Sequence, residues 1–272
     1  MVPRDLVVEL ASILHLEDGA FLVGGQAINL WAETYYARAA ELAEFGPYTS
    51  KDIDYFGRVQ AAEKLAKALG GTVSTPEIDD ATPHTAIVEA DFQGQHLIID
   101  FLGAVLGVEP EAMERRAVNL SVPMTLHGEP GHILIPVMHP VHCLQSRVAN
   151  VLTLKRHTLL AERQLNASPI IVREYVKEML DAGGLKEVHR TIRELFEYFR
   201  SSPEGRRSLR DFRHDPLATF EMLRCDNRLD SRYREKTIQP MIDRLKRVRS
   251  LFWPKQLEKA GLAEPEDGPL AS

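Results

Sequence analysis

The segment TSKDIDYFG, residues 49–57, sets the strongest constraint on the fold. Ile53, Tyr55 and Phe56 favour a strand, and Gly57 ends the run. Side chains two residues apart on a strand share a face. Asp52 and Asp54 therefore present two carboxylates on one side, while Ile53 and Tyr55 present apolar groups on the other. The chain must build a sheet with one packed face and one face holding paired acids. Like charges so placed repel, and a pKa rises, unless something positive stands between them.

Strand patterning is confined to the first half of the chain. Strands are expected at 20–25, 52–56, 72–75, 84–90, 95–102, 119–126 and 132–137, with a hairpin turn near Gln93-Gly94. Helices are expected at 3–16, 26–45, 58–69 and 109–117. From His139 onward the apolar spacing is helical throughout. One long helix runs from Pro140 to about 165, and Ser168-Pro169 opens another to about 182. Further helices are expected at 185–200, 216–224 and 229–251, with a polar loop SSPEGRRS between the first two and a disordered tail after about 262. The pattern describes an α+β protein: a mixed sheet flanked by helices over residues 1–137, then an all-helical domain over 138–272.

Charge divides at the same place. Residues 1–137 carry 8 Lys/Arg against 20 Asp/Glu, and residues 138–272 carry 25 against 19. An acidic half suits a cation. A basic half suits a phosphate-bearing partner, or is simply a set of solvated helix faces. No apolar run reaches the roughly 18 residues that a membrane helix needs, and the N-terminal segment has no signal-peptide layout. Cys143 and Cys225 form neither a CxxC pair nor a metal-ligand spacing, which fits a reduced cytoplasmic protein with both thiols buried.

A third acid, Asp100, stands in the otherwise apolar strand HLIIDFLG between Ile99 and Phe101. An ionised carboxylate there is costly without a cation or donors. Each acid has a bland explanation: Asp52 as a cap, Asp54 paired with an arginine, Asp100 as a structural buried acid. Together they fit Mg²⁺, which takes oxygen ligands from carboxylates and substrate phosphates. Upstream, Gly24-Gly25 falls between a strand and a helix, where backbone can approach a phosphate at a helix N-terminus. The pair is part of neither a GxGxxG nor a Walker A loop.

A glycine pair after a strand, a helix, Asp-Ile-Asp on the next strand and an Asp on a later one resemble the polymerase-β-like nucleotidyltransferase superfamily. More narrowly, GGQAINLW, TSKDIDYFG and MHPVHCLQSRVANVLTLKR resemble motifs of the AbiEii-type nucleotidyltransferase toxins and their relatives, over about residues 20–165. The chain departs from the family in four places. Arg147 stands where Lys is common. Gln26 stands where Ser or Thr is usual. The 27 positions from Gly25 to Asp52 are a longer gap. The distal R-x-x-D element has no counterpart, since AERQLNAS offers Arg163 and Gln164 but no acid.

The resemblance implies a Mg²⁺-dependent enzyme, with Mn²⁺ as a substitute, that moves an NMP from NTP to an RNA such as tRNA or to a protein, as the toxin of a toxin–antitoxin module. It implies Asp52, Asp54 and Asp100 as catalytic metal ligands. It places the nucleotide against Gly24, Gly25, Gln26, Lys51 and Arg147. The alternative is a degenerate transferase that binds a nucleotide or a partner without turnover, to which Gln26 and the missing acid point. His127, His132, His139 and His142 lack a standard zinc spacing, and His139 reads as a helix cap. Arg206, Arg207, Arg210 and Arg213 form either an RNA contact or a solvated face. Trp31 and Trp253 read as core.

Overall fold

The computed structural model describes residues 2–48, 52–77, 79–80, 82–126, 129–155 and 157–252. Lys51, His127, Trp253 and the tail after 262 lie outside these residues. The chain is α+β and divides into two compact units, Met1–Tyr175 and Val176–Ser272.

Unit 1 holds a seven-stranded mixed sheet. Its strands are β1 (Phe21–Leu22), β2 (Ile53–Phe56), β3 (Thr72–Ser74), β4 (His84–Phe92), β5 (Gln95–Leu102), β6 (Val118–Leu126) and β7 (Glu129–Val137), in the spatial order β3-β4-β5-β2-β1-β7-β6. The β2–β5 and β1–β7 pairs are parallel and the rest antiparallel. Gln93 and Gly94 close the β4–β5 hairpin with φ of 50° and 74°, the two left-handed positions of a tight hairpin turn.

Alternation along the central strands separates the two sheet faces. Ile53 and Tyr55 on β2, Ile99 and Phe101 on β5, and Ala86 and Val88 on β4 are all buried. The Tyr55 and Phe101 rings stack at 5.3 Å. The intervening residues Asp54, Asp100 and Glu89 are partly or fully exposed, and Ile98 is 56% exposed. One face is thus core and the other carries the acids.

Unit 1 also contains α1 (Arg4–Ala11), α2 (Gly24–Tyr35), α3 (Val59–Leu69), α4 (Pro110–Arg116), α5 (Pro140–Leu154) and the first part of α6 (Leu159–Asp181). α3 places Ala62, Leu65 and Leu69 in the core and packs on β4. α2 packs on β2 and α5, and its Trp31 donates Nε1–H to the Met138 carbonyl at 2.9 Å.

Several expectations need correction. The domain boundary is at 175/176 rather than 137/138. α5 and the start of α6 bury Val141, Leu144, Val148, Leu165, Ile171 and Tyr175. Their apolar faces thus belong to the core of unit 1, and the charge break marks only surface composition. α5 ends at Leu154, where Lys155 turns left-handed at φ 52°. Ser168-Pro169 opens no helix, because Pro169 lies inside α6. Proline removes one in-helix donor, while the Ser168 hydroxyl donates to the Gln164 carbonyl at 2.6 Å. The helix from residue 26 stops at Tyr35, and a 3₁₀ segment covers Ala40–Phe45. Cys225 is exposed, whereas Cys143 is buried and its thiol is pushed up to about 12 by desolvation. His132 is on β7 with its Nδ1 at 3.2 Å from the exposed Ser121 hydroxyl, while His139 and His142 are buried. His139 caps α5 as expected, accepting from the Val141 N–H at 3.2 Å.

Unit 2 is helical in its described residues. It comprises the end of α6, then α7 (Leu185–Ser201), α8 (Pro203–Arg207), α9 (Leu217–Cys225), α10 (Ser231–Tyr233) and α11 (Gln239–Ser250), with π-helical turns at Ser208–Phe212 and Arg234–Ile238. α11 packs on α7 and α9. Where a polar loop is expected, α8 forms instead, because the Ser202 side chain accepts from the Gly205 N–H at 2.8 Å and Pro203 stands at the first turn. No helix among the described residues is long and apolar enough to cross a membrane.

Candidate active site

The acids meet on the open face of the sheet. β2 and β5 run parallel with Asp54 directly beside Asp100. Residues directly opposite on adjacent strands have side chains on the same face, close enough to interact. Asp52 immediately precedes β2 and is exposed. Burial raises the Asp54 carboxyl most. Asp100 and then Asp52 raise it further, against Arg147 and His84, and the outcome is a pKa of about 6. Asp54 thus lies within electrostatic reach of two acids and two basic side chains.

The glycine turn abuts the same carboxylate. The Val23 N–H donates to the Asp54 carbonyl at 2.8 Å, which registers the turn against β2. Gly24 has φ 65°, and a Cβ there would collide with Asp54 Oδ2. Glycine is required on both counts: the left-handed backbone and the close approach. The first in-helix bond of α2 is Ala27 N–H to the Val23 carbonyl. The N–H groups of Gly24, Gly25 and Gln26 therefore project from the helix end, beside the acids.

A series of side-chain hydrogen bonds links this turn to the Arg147 guanidinium. Arg147 on α5 donates Nη1–H to Gln164 Oε1 at 3.1 Å. Gln164 on α6 donates Nε2–H to the Gly25 carbonyl at 3.3 Å and to Asn29 Oδ1 at 3.0 Å. Asn29 in turn donates to Gln26 Oε1 across a longer 3.5 Å contact. On the other side of the acids, His84 Nε2 lies 3.6 Å from Asp100 Oδ1, and its Nδ1 lies 2.5 Å from the Thr82 hydroxyl. A groove of about 630 Å³, lined by Arg58, Gln60, Thr82, His84 and Thr85 among others, adjoins this histidine.

Of the residues singled out in the sequence, Asp52, Asp54, Asp100, Gly24 and Arg147 gather around one carboxylate. Gly25 joins them through Gln164, and Gln26 is buried one residue past the pair. Lys51 lies outside the described residues. His84, Asn29 and Gln164 were missed as members of the site. His84 opens a strand with nothing in its spacing to mark it. Gln164 stands in the segment where an acid is absent, and its role depends on a contact 139 residues away in sequence.

The donor set fits a hard divalent cation in kind, since all three acids offer carboxylate oxygen. Arg147 and His84 offset the Asp54 charge only in part, which also fits a further positive partner. Among the described residues, no three His, Cys, Asp or Glu side chains stand in a ready-made metal-binding group. No protein-family model matches the sequence, and no curated protein is significantly similar to it, so the functional reading rests on this geometry and on the motifs that carry it.

Proposed function

We propose that the protein is a Mg²⁺-dependent nucleotidyltransferase of the polymerase-β-like type. It would transfer an NMP from NTP to a hydroxyl of an RNA or protein acceptor, as the toxin of a toxin–antitoxin module. The observation that carries this reading is the adjacency of Asp54 and Asp100 on parallel strands with a glycine turn pressed against the Asp54 carboxylate. Paired acids beside a phosphate-accessible helix end suit a ligand that combines cation and phosphate.

Magnesium or manganese held by Asp52, Asp54 and Asp100 would supply charge neutralisation for the triphosphate and for the pyrophosphate leaving group. The chain's own residues do the positioning. Backbone N–H groups of Gly24 and Gly25 bind phosphate oxygens at the helix end. Arg147 offsets negative charge on the side of α5. The groove beside His84, lined by Arg58 together with Glu77 and Asp80, admits the acceptor. The acceptor hydroxyl gives its proton to the Asp100 carboxylate as its oxygen bonds to the α-phosphorus and the bond to pyrophosphate breaks, in line.

The test is transfer of label from α-labelled NTPs to total RNA and to protein, with Mg²⁺ present or chelated. Mg²⁺-dependent labelling by the wild type, absent in Asp54→Asn, is the expected result. A second reading, a protein that binds nucleotide without turnover, is favoured by the lack of a ready three-acid group among the described residues and by Gln26. It predicts nucleotide binding with no labelled acceptor under any condition.

A further inference from the structure

The hydrogen bonds behind the glycine turn have a direction. Arg147 can only donate, so the Gln164 atom facing it at 3.1 Å is the amide oxygen. That choice turns Gln164 Nε2 toward Asn29 and the Gly25 carbonyl. Asn29 must then meet Gln164 with its oxygen, which leaves Asn29 Nδ2 to face Gln26 Oε1. The last amide is oriented in the same sense, so Gln26 offers Nε2 as a donor. Gln26, Asn29 and Gln164 are 5%, 3% and 2% exposed. Gln26 Nε2 is buried and has no hydrogen-bond partner among the described residues.

A network serving structure alone would close on an acceptor, because a buried donor left unsatisfied is unfavourable. This one starts at a guanidinium within electrostatic reach of Asp54 and ends on an uncommitted donor one residue past the glycine pair. Between the two, Gln164 also fixes the carbonyl of the turn itself.

We infer that Gln164 is a positioning residue for a phosphate subsite at the N-terminus of α2, and that the amide series it orients reserves the Gln26 side-chain N–H for an incoming phosphate oxygen. This rests on the nucleotidyltransferase reading for the identity of the ligand and extends it to residues that the acids do not touch. Gln164 acts through others: one arm holds the Arg147 guanidinium, the other holds the turn. Asn29 passes the orientation on. Gln26 thereby reaches farther from the backbone than a Ser or Thr at this position, whose hydroxyl also accepts and donates but on a shorter side chain.

The probe is Mg²⁺–pyrophosphate, titrated into the full chain labelled with ¹⁵N, with the Gln26 side-chain amide assigned by its loss in Gln26→Ser. In the wild type, the Gln26 side-chain amide signals should shift together with the backbone signals of Gly24 and Gly25. In Gln164→Met, which keeps the length of the side chain without its donors, affinity for pyrophosphate should fall about tenfold, the scale of one hydrogen bond to a charged group, and the Gln26 shift should vanish. Gln164→Glu keeps an acceptor for Arg147 and loses both donors, and it should also weaken binding. A purely structural role would lower the melting temperature without uncoupling Gln26 from the ligand. A wild-type Gln26 signal that stays fixed while Gly24 and Gly25 move overturns the inference alone. So does unchanged pyrophosphate affinity in Gln164→Met. If neither glycine responds in the wild type, the nucleotide reading fails and the inference falls with it.

Discussion

Both units pair charges, as Lys64 does with Asp18 and Arg173 with Glu41 and Glu174 in unit 1, but they differ at one place. In unit 2, charges close on one another. Arg228 pairs with Asp181 and Asp226, Arg249 with Asp215, Arg210 with Asp211 and Lys246 with Glu221. Among its buried titratable groups, His214 is 2.9 Å from the Ser208 hydroxyl, and burial pushes its pKa down to about 4, so it is neutral at physiological pH. In unit 1, acids gather on one sheet face, and the most buried of them is held up near 6 by burial and by its acidic neighbours. Unit 1 thus leaves a deficit of positive charge at this place, as a site awaiting a cationic ligand would.

The two units should therefore respond to pH with opposite signs. Asp54 binds its proton more tightly folded than unfolded. Its favourable term is complete below its ordinary value of 3.8 and is lost as pH rises through about 6. His214 is depressed when folded. Its term is complete above its ordinary value of 6.5 and is lost as pH falls toward about 4.

The largest expected effect is at Gly24. Gly24→Ala places a methyl group on Asp54 Oδ2 at a left-handed backbone position. Denaturant unfolding should show a loss of about 2 kcal/mol or more, and nucleotide binding should be lost with it. His214→Gln should flatten the acid limb of unit 2. Between pH 6.5 and 4 the wild type should lose on the order of 2–3 kcal/mol that the variant does not lose. Unfolding curves monitored within unit 2 across that range are the check. Asp54→Asn should stabilise the metal-free chain at pH 7–8, by on the order of 2 kcal/mol, and should bring no gain at pH 4. A destabilised variant at neutral pH would mean that the Asp54 charge is already compensated, and the contrast between the units would collapse. Lys246→Ala breaks a partly exposed pair with Glu221 and should change stability by no more than about 0.5 kcal/mol. A larger loss would make the closed pairs of unit 2 a source of stability rather than a neutral surface.

Much of the central sheet was legible because two-residue alternation leaves few options. Ile53 and Tyr55 must go inward, so Asp54 goes outward, and the apolar neighbours of Asp100 give it the same alternation. The hairpin at Gln93-Gly94 was legible from its turn chemistry. The boundary at 175/176 was not, because α5 and the start of α6 look like any other amphipathic helix, and only packing assigns them to the sheet. Pro169 misled for a related reason. A proline signals a break locally, but a serine hydroxyl one residue earlier serves a neighbouring carbonyl and tertiary packing carries the helix through. His84 and Gln164 were out of reach because each acquires its role from a partner distant in sequence, Asp100 and Gly25.

The central claim is that the acidic face of unit 1 is completed by a cation carried with a nucleotide. Calorimetric titration of Mg²⁺–ATP and the other three Mg²⁺–NTPs into the wild type, Asp54→Asn and Asp100→Asn tests it most directly, with circular dichroism to confirm that each variant is folded. Binding of at least one nucleotide by the wild type, weakened at least tenfold in both folded variants and lost on chelation of the metal, is the result expected. Equal binding by all three proteins, or none by any of them, would contradict the account and leave Asp54 and Asp100 as structural acids.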